Sequence, residues 1–177
     1  MMNTRLSTII TLTLLLLPLA ATCQPDTHNV PSSDINKQPA VEVLYANQQC
    51  GRSQTSPAVT WINNAQQLET RIRQIQGIPA GGKLPPLPKL DFQHEIALLV
   101  EMGQRPTLGY QMALTETESL RITQGQAYLT LDWIQPPADA MVAQMISSPC
   151  LLLKLKRGNY DSVQILDRQN TIRAETH

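Results

Sequence analysis

The fold is decided by residues 96–114, whose sequence is IALLVEMGQRPTLGYQMAL. Residues 96–102 are apolar at almost every position, which is typical of a central strand that is buried on both faces. Tyr110, Met112 and Leu114 then alternate with other residues, as in a strand with one core face and one solvated face. We therefore expect two strands joined by a short connection that contains Gly and Pro.

Similar patterns extend outward from this stretch. Further strands are predicted at residues 41–45, 59–62, 120–122, 127–133, 141–146, 151–155 and 163–166. About eight strands with mostly short connections indicate a mainly β fold, an antiparallel sandwich or open barrel with one packed α-helix. Trp133 is expected in its core.

The helix is predicted over residues 64–76. Its apolar positions recur every three or four residues and are expected to be buried; they are Ala65, Leu68, Ile72 and Ile75. Asn63, with Gln66 three residues later, resembles a capping box, and Gly77 is expected to end the helix.

The two ends of the chain differ from this central part. Arg5 precedes an apolar run that is shorter than the about 20 residues needed to span a bilayer, so residues 1–22 are predicted to be a secretory signal peptide. Residues 23–39 are rich in polar residues and Pro and are expected to form a flexible tether. A domain over residues 40–167 and a flexible tail over residues 168–177 complete the predicted organisation.

The signal peptide ends in Leu19-Ala20-Ala21-Thr22-Cys23, which resembles a bacterial lipobox. This resemblance implies lipidation of Cys23 and a membrane anchor. Gln24 in the next position implies an outer-membrane lipoprotein that faces the periplasm. The alternative is ordinary cleavage near Ala21, which would leave a soluble periplasmic protein.

Two further cysteines, Cys50 and Cys150, remain in the predicted domain. In an oxidising compartment, an even number of cysteines indicates a disulfide bond. The alternative is a pair of independent buried thiols.

Composition and motifs argue against several classes of function. The chain has 14 Lys and Arg residues against 14 Asp and Glu residues, and no basic patch for nucleic acid is evident. His94-Glu95 begins like a zinc-peptidase motif, but Leu98 stands where the second His is required. No nucleophile elbow or phosphate-binding loop is present. We therefore expect no enzymatic activity, no cofactor, no metal and no small-molecule substrate.

The connection from Gly103 to Tyr110 is the candidate protein-binding site. Pro106 restricts its own backbone and that of Arg105, and Gly109 can adopt a positive φ. Such a loop is stiff before it binds, so it loses little entropy on contact. The candidate residues are Arg105, Pro106, Thr107, Leu108, Gly109 and Tyr110. The alternative is a turn with a purely geometric role, and the alternation favours Tyr110 as a core anchor.

The same loop resembles the PrcB C-terminal domain family. The resemblance covers about residues 59–166 and rests on Arg-Pro-Thr-x-Gly-Tyr after an apolar strand, with Leu90-Asp91-Phe92 before that strand. Gln135-Pro136-Pro137 and Ser148-Pro149 also match. Leu108 departs from the family, which often has Gly there. The family takes its name from a lipoprotein that accompanies a surface serine protease complex, so the resemblance implies association with a protease.

The loop is also similar to the Asn-Pro-Thr-Thr-Gly-Tyr loop of chagasin-type cysteine protease inhibitors. Arg105 and Leu108 differ from that motif. This second resemblance implies an immunoglobulin-like fold and insertion of the loop into a protease cleft.

Three functions are therefore carried forward. The first is an exported, non-catalytic lipoprotein of the bacterial envelope that associates with a protease complex and stabilises or regulates it. The second is a chagasin-like protease inhibitor that acts through residues 105–110. The third is a structural envelope module without a protease partner.

Overall fold

The computed structural model describes residues 41–115 and 119–176 of the chain. The predicted signal peptide, the tether and Cys23 lie outside the described residues. Its elements are β1 (Val41–Asn47), β2 (Ala58–Ile62), α1 (Ala65–Ile75), β3 (Glu95–Glu101), β4 (Gln111–Leu114), β5 (Leu120–Thr123), β6 (Gln126–Ile134), β7 (Cys150–Lys156), β8 (Ser162–Leu166) and β9 (Ile172–Thr176).

The strands form two sheets. The first has the order β1-β7-β3-β2, and all of its neighbours are antiparallel. The second has the order β4-β6-β8-β9, and β5 pairs with β6 beside β4. The two sheets share one hydrophobic core, which confirms a mainly β sandwich with one helix.

One pairing in the second sheet differs from the antiparallel arrangement that the sequence predicted. Strands β6 and β8 are parallel, with Ala127 opposite Val163 and Leu129 opposite Ile165. The reason is that β7, which lies between them in the chain, belongs to the other sheet. The chain reverses direction twice between β6 and β8, so β8 returns in the original direction.

Strand β3 is buried on both faces, as its apolar sequence predicted. Leu98 and Val100 face the second sheet, whereas Ala97 and Leu99 face the layer that contains α1. The side chains of strand β7 also face these two layers alternately. The first sheet, called sheet one below, is therefore the middle layer of the domain. Trp133 is half-buried and packs against the core between the two sheets.

The helix begins and ends close to its predicted limits. Leu68, Ile72 and Ile75 are buried against sheet one, and burial of three such side chains contributes about 5–9 kcal/mol. Ala65 is exposed, contrary to the prediction, because it lies in the first turn, ahead of the buried stripe. No helix in the described ranges is long and apolar enough to cross a membrane.

The helix cap lies one residue later than the sequence predicted. The Asn64 side chain accepts a hydrogen bond from the Gln67 amide at 2.9 Å, and Gln67 Oε1 accepts one from the Asn63 amide at 2.8 Å. The polar pair at positions 63 and 66 therefore shifts to positions 64 and 67. Either register satisfies one exposed amide of the first turn.

The predicted flexible tail contains strand β9, which is a correction. Ile172–Thr176 pairs antiparallel with β8, and Ala174 in this strand is buried. The Asp167 carboxylate accepts hydrogen bonds from the amides of Gln169 and Thr171, both at 2.9 Å, and so shapes the turn. Because this hairpin is held by a polar turn and one small apolar residue, its composition resembles that of a tail.

Candidate protein-binding surface

Three connections leave the first sheet at the same end. Cys150, the first residue of β7, lies opposite Asn47 at the end of β1 and opposite Glu101 at the end of β3. Residues 48–57, 102–110 and 135–149 therefore converge there. We call this end of the sandwich the loop end; Val41 and Leu155 are paired near the opposite end.

Residues 105–110, the binding loop, are held by the connection between β6 and β7. The Arg105 amide donates to the Ser147 carbonyl at 2.9 Å, and the Ser147 amide donates back at 3.0 Å. Leu108 donates to the Ala143 carbonyl at 3.1 Å, and Ser147 Oγ donates to the Thr107 carbonyl at 2.7 Å. These bonds fix the loop backbone without strand pairing along its whole length.

The side chains of the binding loop have different surroundings. Pro106 is exposed, whereas the others are half-buried, and Tyr110 packs against the core. The Arg105 guanidinium turns back toward the domain and donates to the Met102 carbonyl at 2.6 Å. Thr107 Oγ1 donates to the Leu108 carbonyl at 3.0 Å. Arg105 therefore supports the loop itself, a structural role that the sequence pattern did not indicate.

Two glycines allow this local geometry. Gly103 has a φ of +82°, and a Cβ atom there would lie 2.4 Å from the Thr55 carbonyl oxygen. Gly109 has a φ of +90°, and its Cβ would lie 3.1 Å from Pro136 Cβ. Both positions combine a backbone conformation that side chains disfavour with close contact to another connection. They keep the three connections in contact at the loop end.

The connection after β1 also takes part, and sequence reasoning missed it. Gln49 Nε2 donates to the Ile146 carbonyl at 2.9 Å, and the Gly109 amide donates to Gln48 Oε1 at 3.5 Å. Ser148 Oγ accepts from the Cys50 amide at 3.0 Å. No local motif marks these residues, because their partners lie about 60 to 100 positions away in the chain.

The predicted disulfide bond between Cys50 and Cys150 is confirmed. It joins the connection after β1 to the first residue of β7, across a sequence separation of 100 residues. In the chain-entropy model, a loop of that length contributes up to about 4.7 kcal/mol by restricting the unfolded chain. The bond therefore fixes the base of the loop end covalently.

Residues 141–146 do not form the predicted strand. Their connection has no regular secondary structure. The solvent-exposed fraction is 103% for Met141, 51% for Met145 and 59% for Ile146. The mostly apolar sequence of the segment predicted a strand, but its backbone bonds to the binding loop instead of joining a sheet ladder. We call these three side chains the apolar ridge.

Two charged groups at the loop end, Arg52 and Glu101, make contacts within the domain. Glu101 is only 8% exposed and pairs with Arg52 at 3.5 Å, and Arg52 Nε donates to the Ser56 carbonyl at 3.1 Å. His94 and Asp91 lie before β3, away from the loop end. The hydrogen bond from His94 is the main reason that the pKa of Asp91 lies below its usual value. Among the described residues, no group of three His, Cys, Asp or Glu side chains could hold a metal ion.

The loop end therefore combines a rigid base with an exposed proline and the apolar ridge. No curated protein and no solved structure matches the chain. Residues 96–156, which run from β3 to the end of β7 and include both the binding loop and the apolar ridge, match the family described as PrcB C-terminal, and this match confirms the resemblance that the Arg-Pro-Thr-x-Gly-Tyr motif predicted.

Proposed function

We propose that this chain is a non-catalytic accessory protein of the bacterial envelope that associates with a protease complex through its loop end. The observation that carries the proposal is the PrcB C-terminal match, whose residues 96–156 include the binding loop. A family named for a protease-associated lipoprotein fits such a role.

The geometry of the loop end supports binding without large rearrangement. The binding loop is held by four hydrogen bonds to residues 143–147, and the disulfide bond closes its base. A preformed loop loses little conformational freedom on association, so more of its contact energy appears as affinity. Pro106 is the exposed tip from which contact would begin.

The test is capture of partners from the membranes of the organism that makes the protein. Full-length wild type and the variant Thr107→Ser/Leu108→Ser are cross-linked in cells, purified and compared by mass spectrometry. We expect subunits of one envelope protease complex with wild type and much less of them with the variant. Equal recovery, with thermal stability unchanged, would exclude the binding loop as the contact.

Export and anchoring belong to the same proposal. Under this proposal the chain is cleaved before Cys23, carries lipid on that cysteine and resides in the outer membrane facing the periplasm. Stable anchoring needs two or more acyl chains, which a lipoprotein N-terminus provides. Cys23→Ser should move the protein from the membrane fraction to the soluble periplasm. A wild type that is already soluble would favour the alternative cleavage near Ala21.

Protease inhibition is the second candidate. It is favoured by the similarity of the binding loop to the chagasin-type loop, together with the hydrogen bonds that would keep it rigid in a cleft. Purified protein should then inhibit a papain-type protease without being cut, and Thr107→Ser/Leu108→Ser should relieve the inhibition. Partner capture without inhibition would favour the accessory role. If the protein neither captures a partner nor inhibits a protease, the structural module is the function that remains.

A further inference from the structure

We propose that the apolar ridge formed by Met141, Met145 and Ile146 is an anchor that inserts into an apolar cleft of the partner protein. This inference rests on the proposed function, because it specifies how the partner is held. It assigns a contact surface outside the Arg-Pro-Thr-x-Gly-Tyr motif.

Exposure is the first argument. Single exposed apolar side chains are normal on soluble proteins, but a cluster of large ones marks an interaction site. Here three lie within six residues, and Met141 has no measurable shielding. The hydrogen bond from Leu108 to Ala143 places the half-buried Leu108 and the exposed Pro106 beside them. The ridge and the binding loop are therefore carried by adjoining stretches of backbone.

The rigidity of the supporting backbone is the second argument. The Met145 amide donates to the Ala143 carbonyl at 2.9 Å, and the Ile146 carbonyl accepts from Gln49 Nε2 at 2.9 Å. The next residue, Ser147, is fully buried and bonded on both sides. The side chains thus project from a fixed base, and methionine adapts its shape to irregular apolar cavities. This combination suits insertion into a cleft.

The charge of the surface decides between kinds of partner. Asp139 is the charged residue of the 135–149 connection, and Arg105 in the binding loop is engaged with a backbone carbonyl. Membrane-surface segments use Lys and Arg with Trp or Tyr at the interface, and this connection contains none of them. A projecting, uncharged, aliphatic surface is complementary to a concave apolar site on a folded protein.

The experiment uses the full chain in its own cells. A photo-crosslinking residue replaces Met141 or, in a second strain, Met145, and the partner peptides are identified. In parallel, Met141→Ser/Met145→Ser is compared with Val43→Thr/Ile172→Thr, which removes exposed apolar surface from β1 and β9 while keeping β-branched side chains. We expect the ridge variant to weaken capture at least about tenfold with unchanged melting temperature, and the control to retain wild-type capture. The crosslinked partner peptide should line an apolar cleft.

The outcomes separate the inference from the proposed function. If Thr107→Ser/Leu108→Ser weakens capture and the ridge variant does not, the ridge inference is wrong and the proposed function stands. If crosslinks reach an apolar cleft of a protein outside any protease complex, the proposed function fails and the ridge inference stands.

Two other occupants would also overturn the inference. Crosslinks to a second copy of the chain would make the ridge a self-association surface. Ridge-dependent binding of the unlipidated Cys23→Ser chain to phosphatidylethanolamine and phosphatidylglycerol vesicles would make it a lipid contact. If the ridge variant and the control lose capture equally, the contribution of the ridge is nonspecific adhesion and the inference is wrong.

Discussion

Two long connections of this domain orient their apolar side chains in opposite directions. Residues 76–94, between α1 and β3, turn apolar side chains inward to cover the face of sheet one beside the helix; they are Leu84, Leu87, Leu90 and Phe92. Residues 135–149, between β6 and β7, turn Met141, Met145 and Ile146 outward. The first connection crosses an uncovered sheet face. The second lies at the loop end, beyond the sheet faces, so these three apolar side chains remain exposed.

The disulfide bond at the base of the outward connection should give the largest effect. We expect Cys50→Ala/Cys150→Ala to lower the free energy of unfolding by about 2–5 kcal/mol, because the unfolded chain regains entropy. Urea denaturation of the purified domain measures this change. Reduced wild type is the matched control and should fall by a similar amount. If neither loses stability, the loop end does not depend on the covalent closure.

Substitution in the two connections tests the comparison directly. Phe92→Ala should lower the free energy of unfolding by about 2–3 kcal/mol, less than a fully buried aromatic, because Phe92 is half-buried against the helix-side cluster. Met145→Ala in the outward connection should change it by less than about 0.5 kcal/mol. Denaturation of both variants under one condition checks the difference. Equal losses would mean that the outward residues also stabilise the fold.

Substitution of two glycines can distinguish the cost of a steric contact from the cost of backbone strain. Gly103 and Gly125 have nearly equal φ angles of +82° and +79°, but only Gly103 has close neighbours where a Cβ would stand. Gly125→Ala should cost about 1 kcal/mol of strain, and Gly103→Ala about 2 kcal/mol or more, because the Thr55 carbonyl must also move. Chemical denaturation measures both. Similar losses would show that the connection after β1 yields easily at the loop end.

The smallest effect concerns pH and the end of the inward connection. The pKa of Asp91 is lowered first by the hydrogen bond with His94 and then by the Gln93 amide. Its contribution is therefore present above the unfolded pKa near about 4 and is lost as pH falls through the lower folded pKa. Asp91→Asn should reduce the loss of stability between about pH 6 and about pH 3, measured as the urea midpoint. Asp139→Asn, in the outward connection, is the control, and an equal response in both would contradict the assignment.

Much of the fold followed from the sequence because its signals are local. The unbroken apolar run of β3 predicted a buried middle strand, the spacing of Leu68, Ile72 and Ile75 predicted α1, and the remaining cysteine pair predicted the disulfide. Each signal depends on the apolar pattern within one element or on the ability of two cysteines to form a bond. Such signals can be recognised without knowing how the strands are arranged in the sheets.

The errors have a common physical origin. A mostly apolar segment such as residues 141–146 predicts a strand, but its composition does not report which part of the fold covers it. The parallel pairing of β6 and β8 depends on which sheet receives β7. The support that Gln49 and Ser147 give the loop end comes from distant backbone groups. Such partners are set by the assembled fold.

The position of Val41 at the end opposite the loops has a mechanical consequence. Tension between the N-terminal end of β1 and a partner held at the loop end would run along β1 and its neighbour β7. The β1–β7 ladder would then bear the force in shear, with its hydrogen bonds loaded together. The Cys50–Cys150 bond would carry the remaining force across by a covalent route. A pull along this axis would therefore meet a whole ladder of hydrogen bonds and a covalent crosslink, rather than a strand edge that opens one bond at a time.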